Sequence, residues 1–340
     1  MRPLVIIYNI VNFVLRIFRI FYVQIKCYRC LTVIWEEILR TNQPVIEWPT
    51  LYVAVATYLI LGLATTWLAN ISLPLAIFVT GLAVAQFSSL QHEVLHGHPF
   101  RSRFLSEAIV FVGVTVFIPY VRFKDTHLAH HHDPILTDPY DDPESNFIDP
   151  KVWVQMPKIG QILLRANNTL LGRILLGPAV SIWSFVGKDM MAILKLNRHI
   201  LRAWLLHVLG VLMVGGWLWA MDGMPVWAYL IAAYFGFGLL KIRTFLEHRA
   251  HDLARARSVV IEDRGFFALL FLNNNYHSVH HSQPGLAWYR LPRLFAQNRD
   301  HYLSRNDGYF YASYNEVFRR YFFRAKDTVA HPNWTPGEKN

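Results

Sequence analysis

His92, Glu93 and His96 spell HExxH within HEVLHGH, two imidazoles one helical turn apart with a carboxylate between them. In zinc proteases the histidines of this pattern hold the metal and the glutamate is the base. The rest of the chain argues for a larger site. Most of its 16 histidines fall in four clusters: His92 and His96; His127, His130, His131 and His132; His248 and His251; and His277, His280 and His281. On a helix, position i shares a face with i+3 and i+4, so HxxxH offers two imidazoles to one centre and HxxHH offers three.

Three such faces supply eight imidazoles, whereas a catalytic zinc takes three protein ligands and a water. Eight or nine ligands suit two metals instead, and imidazole suits iron. Soluble four-helix-bundle di-iron sites draw on Glu and ExxH, whereas these clusters are dominated by histidine. Glu93, Asp125, Asp133 and Glu247 stand beside the histidines and are expected to orient the rings rather than bind metal. The isolated His199, His207, His301 and His331 read as structural.

The elements that must carry these clusters are membrane helices. The 340-residue chain is 54% hydrophobic and 16% charged, with 11 Trp, which favours one membrane-embedded unit. Apolar stretches at about 50 to 69 and 73 to 90 flank Asn70, Ile71 and Ser72; another pair, about 203 to 221 and 225 to 245, flanks Met221, Asp222, Gly223 and Met224. Each is close to the roughly 20 residues that cross a bilayer, so the spacing predicts two transmembrane hairpins.

Neither short loop carries Lys or Arg, while Arg101, Arg103, Arg122, Lys124, Lys195, Arg198, Arg202, Lys241, Arg243 and Arg249 gather at the opposite ends. The positive-inside rule puts those ends, the histidines and both termini in the cytoplasm, consistent with a bacterial inner membrane. The net charge of +10 is spread along the edges of apolar runs, which points to membrane anchoring rather than nucleic acid.

Three further segments read as interfacial or buried. Residues 4 to 26 place Asn9, Asn12, Arg16, Arg19 and Lys26 at helical spacing, within an amphipathic region spanning 1–30. Lys158, Gln161, Arg165 and Asn168 repeat the pattern, and residues 105 to 121 are apolar but short for a span, which suits a buried or re-entrant helix. Cys27 and Cys30 form a lone CxxC, with no second pair to complete a zinc site. The whole chain reads as one unit, with a core at about 50–285 and a cytosolic cap at 286–340. The fold class expected is all-α and integral to the membrane: two helical hairpins, interfacial helices, and a cap holding a histidine-ligated di-metal site.

The ordered trio HxxxH, HxxHH, HxxHH resembles the membrane fatty acid desaturase and hydroxylase superfamily, over about residues 50 to 285. That resemblance implies a di-iron centre held by His92, His96, His127, His130, His131, His277, His280 and His281. It also implies a ninth ligand about thirty residues before the third box, where His248 stands ahead of His251. In acyl-CoA desaturases an asparagine one turn earlier reaches the metal through water; here Thr244 holds that place. His98 and His132 are spare histidines beside the boxes, as orienting groups or alternate ligands. Asn274 and Asn275 are placed either to hydrogen-bond the third box or to form a turn.

A neutral, imidazole-rich ligand set suits an oxidising centre that takes hydrogen from an unactivated C–H bond. The reaction would consume O2 and two electrons. The chain has no Rossmann fingerprint, iron–sulfur cysteine set or haem module, so a ferredoxin-like or cytochrome-like carrier is expected; Arg101, Arg122, Lys124 and Arg249 serve either to steer it or to bind anionic headgroups. Desaturation of a fatty acyl chain in a membrane lipid ranks first, hydroxylation of a lipid chain or head group second, carotenoid oxygenation third and intramembrane proteolysis last. The acidic run HHDPILTDPYDDPESNFIDP after the second box reads as Asp-Pro turns, or as a reader of a cationic or hydroxylated head group such as an aminolipid.

Overall fold

The computed structural model describes residues 46–131 and 133–334. The expected N-terminal helix and the Cys27–Cys30 pair lie outside that range. The long helices are α1 (Trp48–Ile71) and α2 (Leu73–Leu95). Two shorter helices follow, α3 (Arg103–Ile109) and α4 (Tyr120–His130), and then the amphipathic α5 (Lys158–Asn167). The last three long helices are α6 (Leu170–Leu194), α7 (Arg198–Met221) and α8 (Val226–Thr244), and α9 (His277–Ser282) carries the third histidine box.

Both expected hairpins are present, α1–α2 and α7–α8. Their tips lock together at the end away from the histidines. Residues Ala64–Leu68 of α1 wind as a π turn, which releases the Thr65 carbonyl to accept from Met224 N at 2.8 Å; Trp217 Nε1 donates to Thr65 Oγ1 at 3.0 Å. Gly223 sits against that turn, where a Cβ would lie 2.3 Å from Thr65 O.

The hairpins meet along α2 and α8 through small residues. A Cβ on Gly81 would stand 2.3 Å from the Phe235 ring, and one on Gly236 would stand 2.6 Å from Gly81 O. In lipid, where apolar burial drives little association, such close backbone approach supplies the packing energy.

Sequence patterning did not anticipate α6, one of five helices among the described residues that are long and apolar enough to span. Its ends show how it lies. At one end Leu171 N donates to Phe322 O and Arg173 bonds Asn146; at the other Asp189 pairs with Arg122 of α4 at 3.0 Å and accepts from Trp204 Nε1. Phe322, Asn146 and Arg122 belong to elements on the histidine side, and Trp204 stands in the second turn of α7, at its end nearer the histidines. A crossing helix of this length, about 37 Å, would put its ends on opposite faces, so these contacts favour a course along the interface for α6 beside the two hairpins.

Of residues 105 to 121, the stretch as far as Ile109 is helical in α3, residues 110 to 119 are irregular, and α4 begins at Tyr120. The irregular part is packed inside protein, as backbone at membrane depth must be. Gly113 abuts the backbone of Gly210 and Val211, Tyr229 Oη donates to Val114 O, and His207 Nε2 bonds Val116 O.

On the histidine side, Ile242, Phe245 and Leu246 at the end of α8 share a core with Val259, Ile261, Phe271, Tyr309, Tyr311 and Tyr314. A two-strand parallel ladder, Val260 opposite Phe310 and Ile261 opposite Tyr311, ties the C-terminal region over the boxes.

Candidate metal centre

Each box reaches the site from a different element. His92 lies in the last turn of α2 and His96 caps it; His127 and His130 occupy the last turn of α4 and His131 caps it; α9 carries His277, His280 and His281. His248 stands just beyond α8, held by a bridge to Ser258.

These nine histidines form two groups, His92, His96, His127, His131 and His280, and His130, His248, His277 and His281. Within each group, one ligand atom per residue lies within 4.8 Å of all the others. Several pairs of ring nitrogens face each other directly: His130 and His248 Nε2 at 2.8 Å, His127 and His131 at 2.9 Å, His248 and His277 at 3.0 Å, His131 and His280 at 3.1 Å. Two nitrogens bound to one ion at about 2.1 Å stand about 3 Å apart. The buried Nε2 atoms of His92 and His96 have no hydrogen-bond partner among the described residues. Buried acceptors left this way are costly unless something binds them, and the five- and four-histidine groups fit two ions.

The opposite ring nitrogens fix the orientation. Asp142 Oδ1 lies 2.8 Å from His130 Nδ1, and Glu144 lies 3.2 Å from His127 Nδ1. Asn274 Oδ1 and Ser258 Oγ each lie 3.2 Å from Nδ1 of His277 and His248, and Glu247, which accepts from Asn274, is 3.8 Å from His277. Each of these contacts turns Nε2 toward the centre.

Burial and neighbouring rings push His131, His248, His277 and His280 well below the ordinary imidazole range, which keeps them in the neutral, metal-binding form. Burial opposes charge on His130 too, but Glu144 and Asp142 outweigh it and lift the ring to about 9. Burial raises Glu144, yet His127 and His130 hold its carboxyl at about 2.

The remaining residues singled out in the sequence fall as follows. Glu93 turns away from both groups: it accepts from Trp288 N at 2.9 Å and clusters with His98 and Glu47, whose carboxylate is 2.8 Å from His98 Nδ1. It does not sit as a base over a metal held by His92 and His96. Asp125 pairs with Arg122 and His199, and among the described residues no hydrogen bond or ion pair joins it to a box histidine. His251 bonds Asp307, outside both groups. Thr244 lines a cavity beside His248. Asn275 donates to the Ile261 and Asp263 carbonyls and holds the turn before the box. His132 and the side chain of Asp133 are not described. Asp142 and Glu144 were not singled out from the sequence, because no helical spacing links them to the boxes.

A cavity of about 510 Å³ reaches the four-histidine group at His130 and His248. Val84, Phe117, Ile118, Val180, Phe185 and Phe237 line its apolar part, and the loop from Thr137 to Asp149 lines its polar part.

Fold and site thus define a helical integral membrane protein with a histidine-rich metal centre. The model of the fatty acid desaturase family matches residues 65–313, most of the chain, and the protein belongs to that family. It is an oxidoreductase of the desaturase and hydroxylase type. A search of curated proteins finds no match.

Proposed function

We propose that the protein carries out O2-dependent oxidation of a membrane lipid and that the oxidation is desaturation of a fatty acyl chain. The observation that carries this reading is the junction of the apolar cavity with His130 and His248. A chain lying along Val84, Phe117 and Phe237 brings its C–H bonds to the histidine groups while water is excluded.

Two iron ions held by the nine histidines would supply the reduction of O2 and the removal of hydrogen from carbon. The chain's own residues do the rest. Asp142, Glu144, Asn274 and Ser258 hold the rings, the cavity wall fixes the substrate, and the histidine side faces the cytoplasm, where an electron carrier delivers two electrons. Removing two hydrogens with those two electrons and two protons reduces one O2 to two waters.

Lipid mass spectrometry of cells expressing the wild type and His277→Ala, grown in air, tests the reading. Loss of two hydrogens from a lipid class in the wild type alone is the expected result. Gain of one oxygen would replace desaturation by hydroxylation, and identical lipids would overturn lipid oxidation.

A further inference from the structure

The cavity wall carries charges of both signs, and their engagement differs. The carboxylates that line it are occupied within the protein. Asp142 and Glu144 face box histidines, Asp149 accepts from Lys151 N and Tyr140 Oη, and Glu247 pairs with Arg243. The acidic loop therefore presents little unspent negative charge to a ligand.

The cations are less well matched. Lys241, half-buried near the end of α8, donates to Ser181 Oγ of α6 at 2.7 Å and lies 4.7 Å from the centre of the Phe237 ring. Among the described residues it has no carboxylate within 4 Å. Glu144 and Glu247 act on it at longer range, and Arg173 and Arg243 repel it. Nearby, the buried Arg173 bonds only to Asn167 O and Asn146 among the described residues, while Lys326 Nζ donates to His248 O and stands 3.5 Å from Asp327. Asp327 is thus the one carboxylate closely paired within a trio of cations. Buried charge is costly unless something compensates it.

We propose that Lys241 and Ser181, with Arg173 and Lys326 behind them, form an anion subsite in the cavity wall that holds the carboxylate or phosphate of an amphiphilic lipid. The lysine supplies a point charge and the hydroxyl a second donor. The apolar part of the ligand lies along Val180, Phe185 and Phe237, which line the same cavity. This rests on the lipid-oxidation reading and gives the substrate an anionic group.

The test is equilibrium binding of radiolabelled decanoate, decyl phosphate, decanol and decyltrimethylammonium to the full chain in phosphatidylcholine nanodiscs, with empty nanodiscs subtracted. The wild type is expected to bind the two anions at least about tenfold more tightly than the alcohol or the cation. Lys241→Met should erase that preference, Lys241→Arg should keep it, and Ser181→Ala should reduce it.

Equal binding of decanol, tighter binding of the cation, or an undiminished preference in Lys241→Met would overturn the subsite. Displacement of decanoate by inorganic phosphate at the concentration at which decyl phosphate displaces it would mark a free-ion site and overturn the lipid assignment. The wild-type probe series decides the matter even if Lys241→Met does not fold. Binding needs no turnover, so failure here and failure of lipid oxidation are separately visible.

Discussion

Asp142 stands 2.8 Å from His130 Nδ1, both side chains buried, so a loop residue twelve positions downstream sets the direction of a box histidine. The same carboxylate accepts from the backbone N–H of Thr137 and Glu144. The acidic loop is thereby folded around the metal groups it orients.

Removing that orientation should weaken metal binding without removing a ligand. Asp142→Asn and Glu144→Gln are each expected to lower metal affinity by about 10- to 100-fold. Chelator titration of the purified variants measures this; affinities equal to wild type would contradict the role given to the loop.

Glu93 faces Trp288 and His98 rather than the metal groups. Glu93→Gln should therefore retain metal and a substantial fraction of lipid oxidation, losing some stability through the weakened tie to Trp288. Complete loss of activity with full metal occupancy would restore a direct catalytic role for the carboxylate.

The course of α6 predicts a labelling pattern. In a Cys27→Ser, Cys30→Ser background, cysteines at Thr169 and Leu196 should react with a membrane-impermeant maleimide from the same side, and one at Asn70 from the other. Opposite-side labelling of Thr169 and Leu196 would make α6 a span.

The irregular stretch before α4 depends on hydrogen bonds from neighbouring helices. Tyr229→Phe leaves the Val114 carbonyl without its buried donor, at a cost of about 1–3 kcal/mol. Thermal unfolding in detergent should show a lowered midpoint; an unchanged midpoint would mean that the carbonyl finds another partner.

The histidine boxes were legible in the sequence because each is local. His92 and His96, or His277, His280 and His281, share a helical face that spacing alone reveals. The hairpins were legible because their apolar runs are uninterrupted and their loops short. Other features depend on contacts between distant residues. Asp125, beside a box in sequence, is drawn to Arg122 and His199, while Asp142 and Glu144 reach the rings through a loop fold that no periodicity marks. Arg173, Lys188 and Asp189 bound the apolar run of α6, and only the partners at its two ends favour a course along the interface.

The most direct test of the central claim is the iron content of the purified protein, measured by mass spectrometry of the metals against quantitative amino-acid analysis. Two irons per chain in the wild type, with a clear loss in both His131→Ala and His277→Ala, is the predicted result. A single zinc per chain that survives both substitutions would contradict a di-iron centre built from the three boxes.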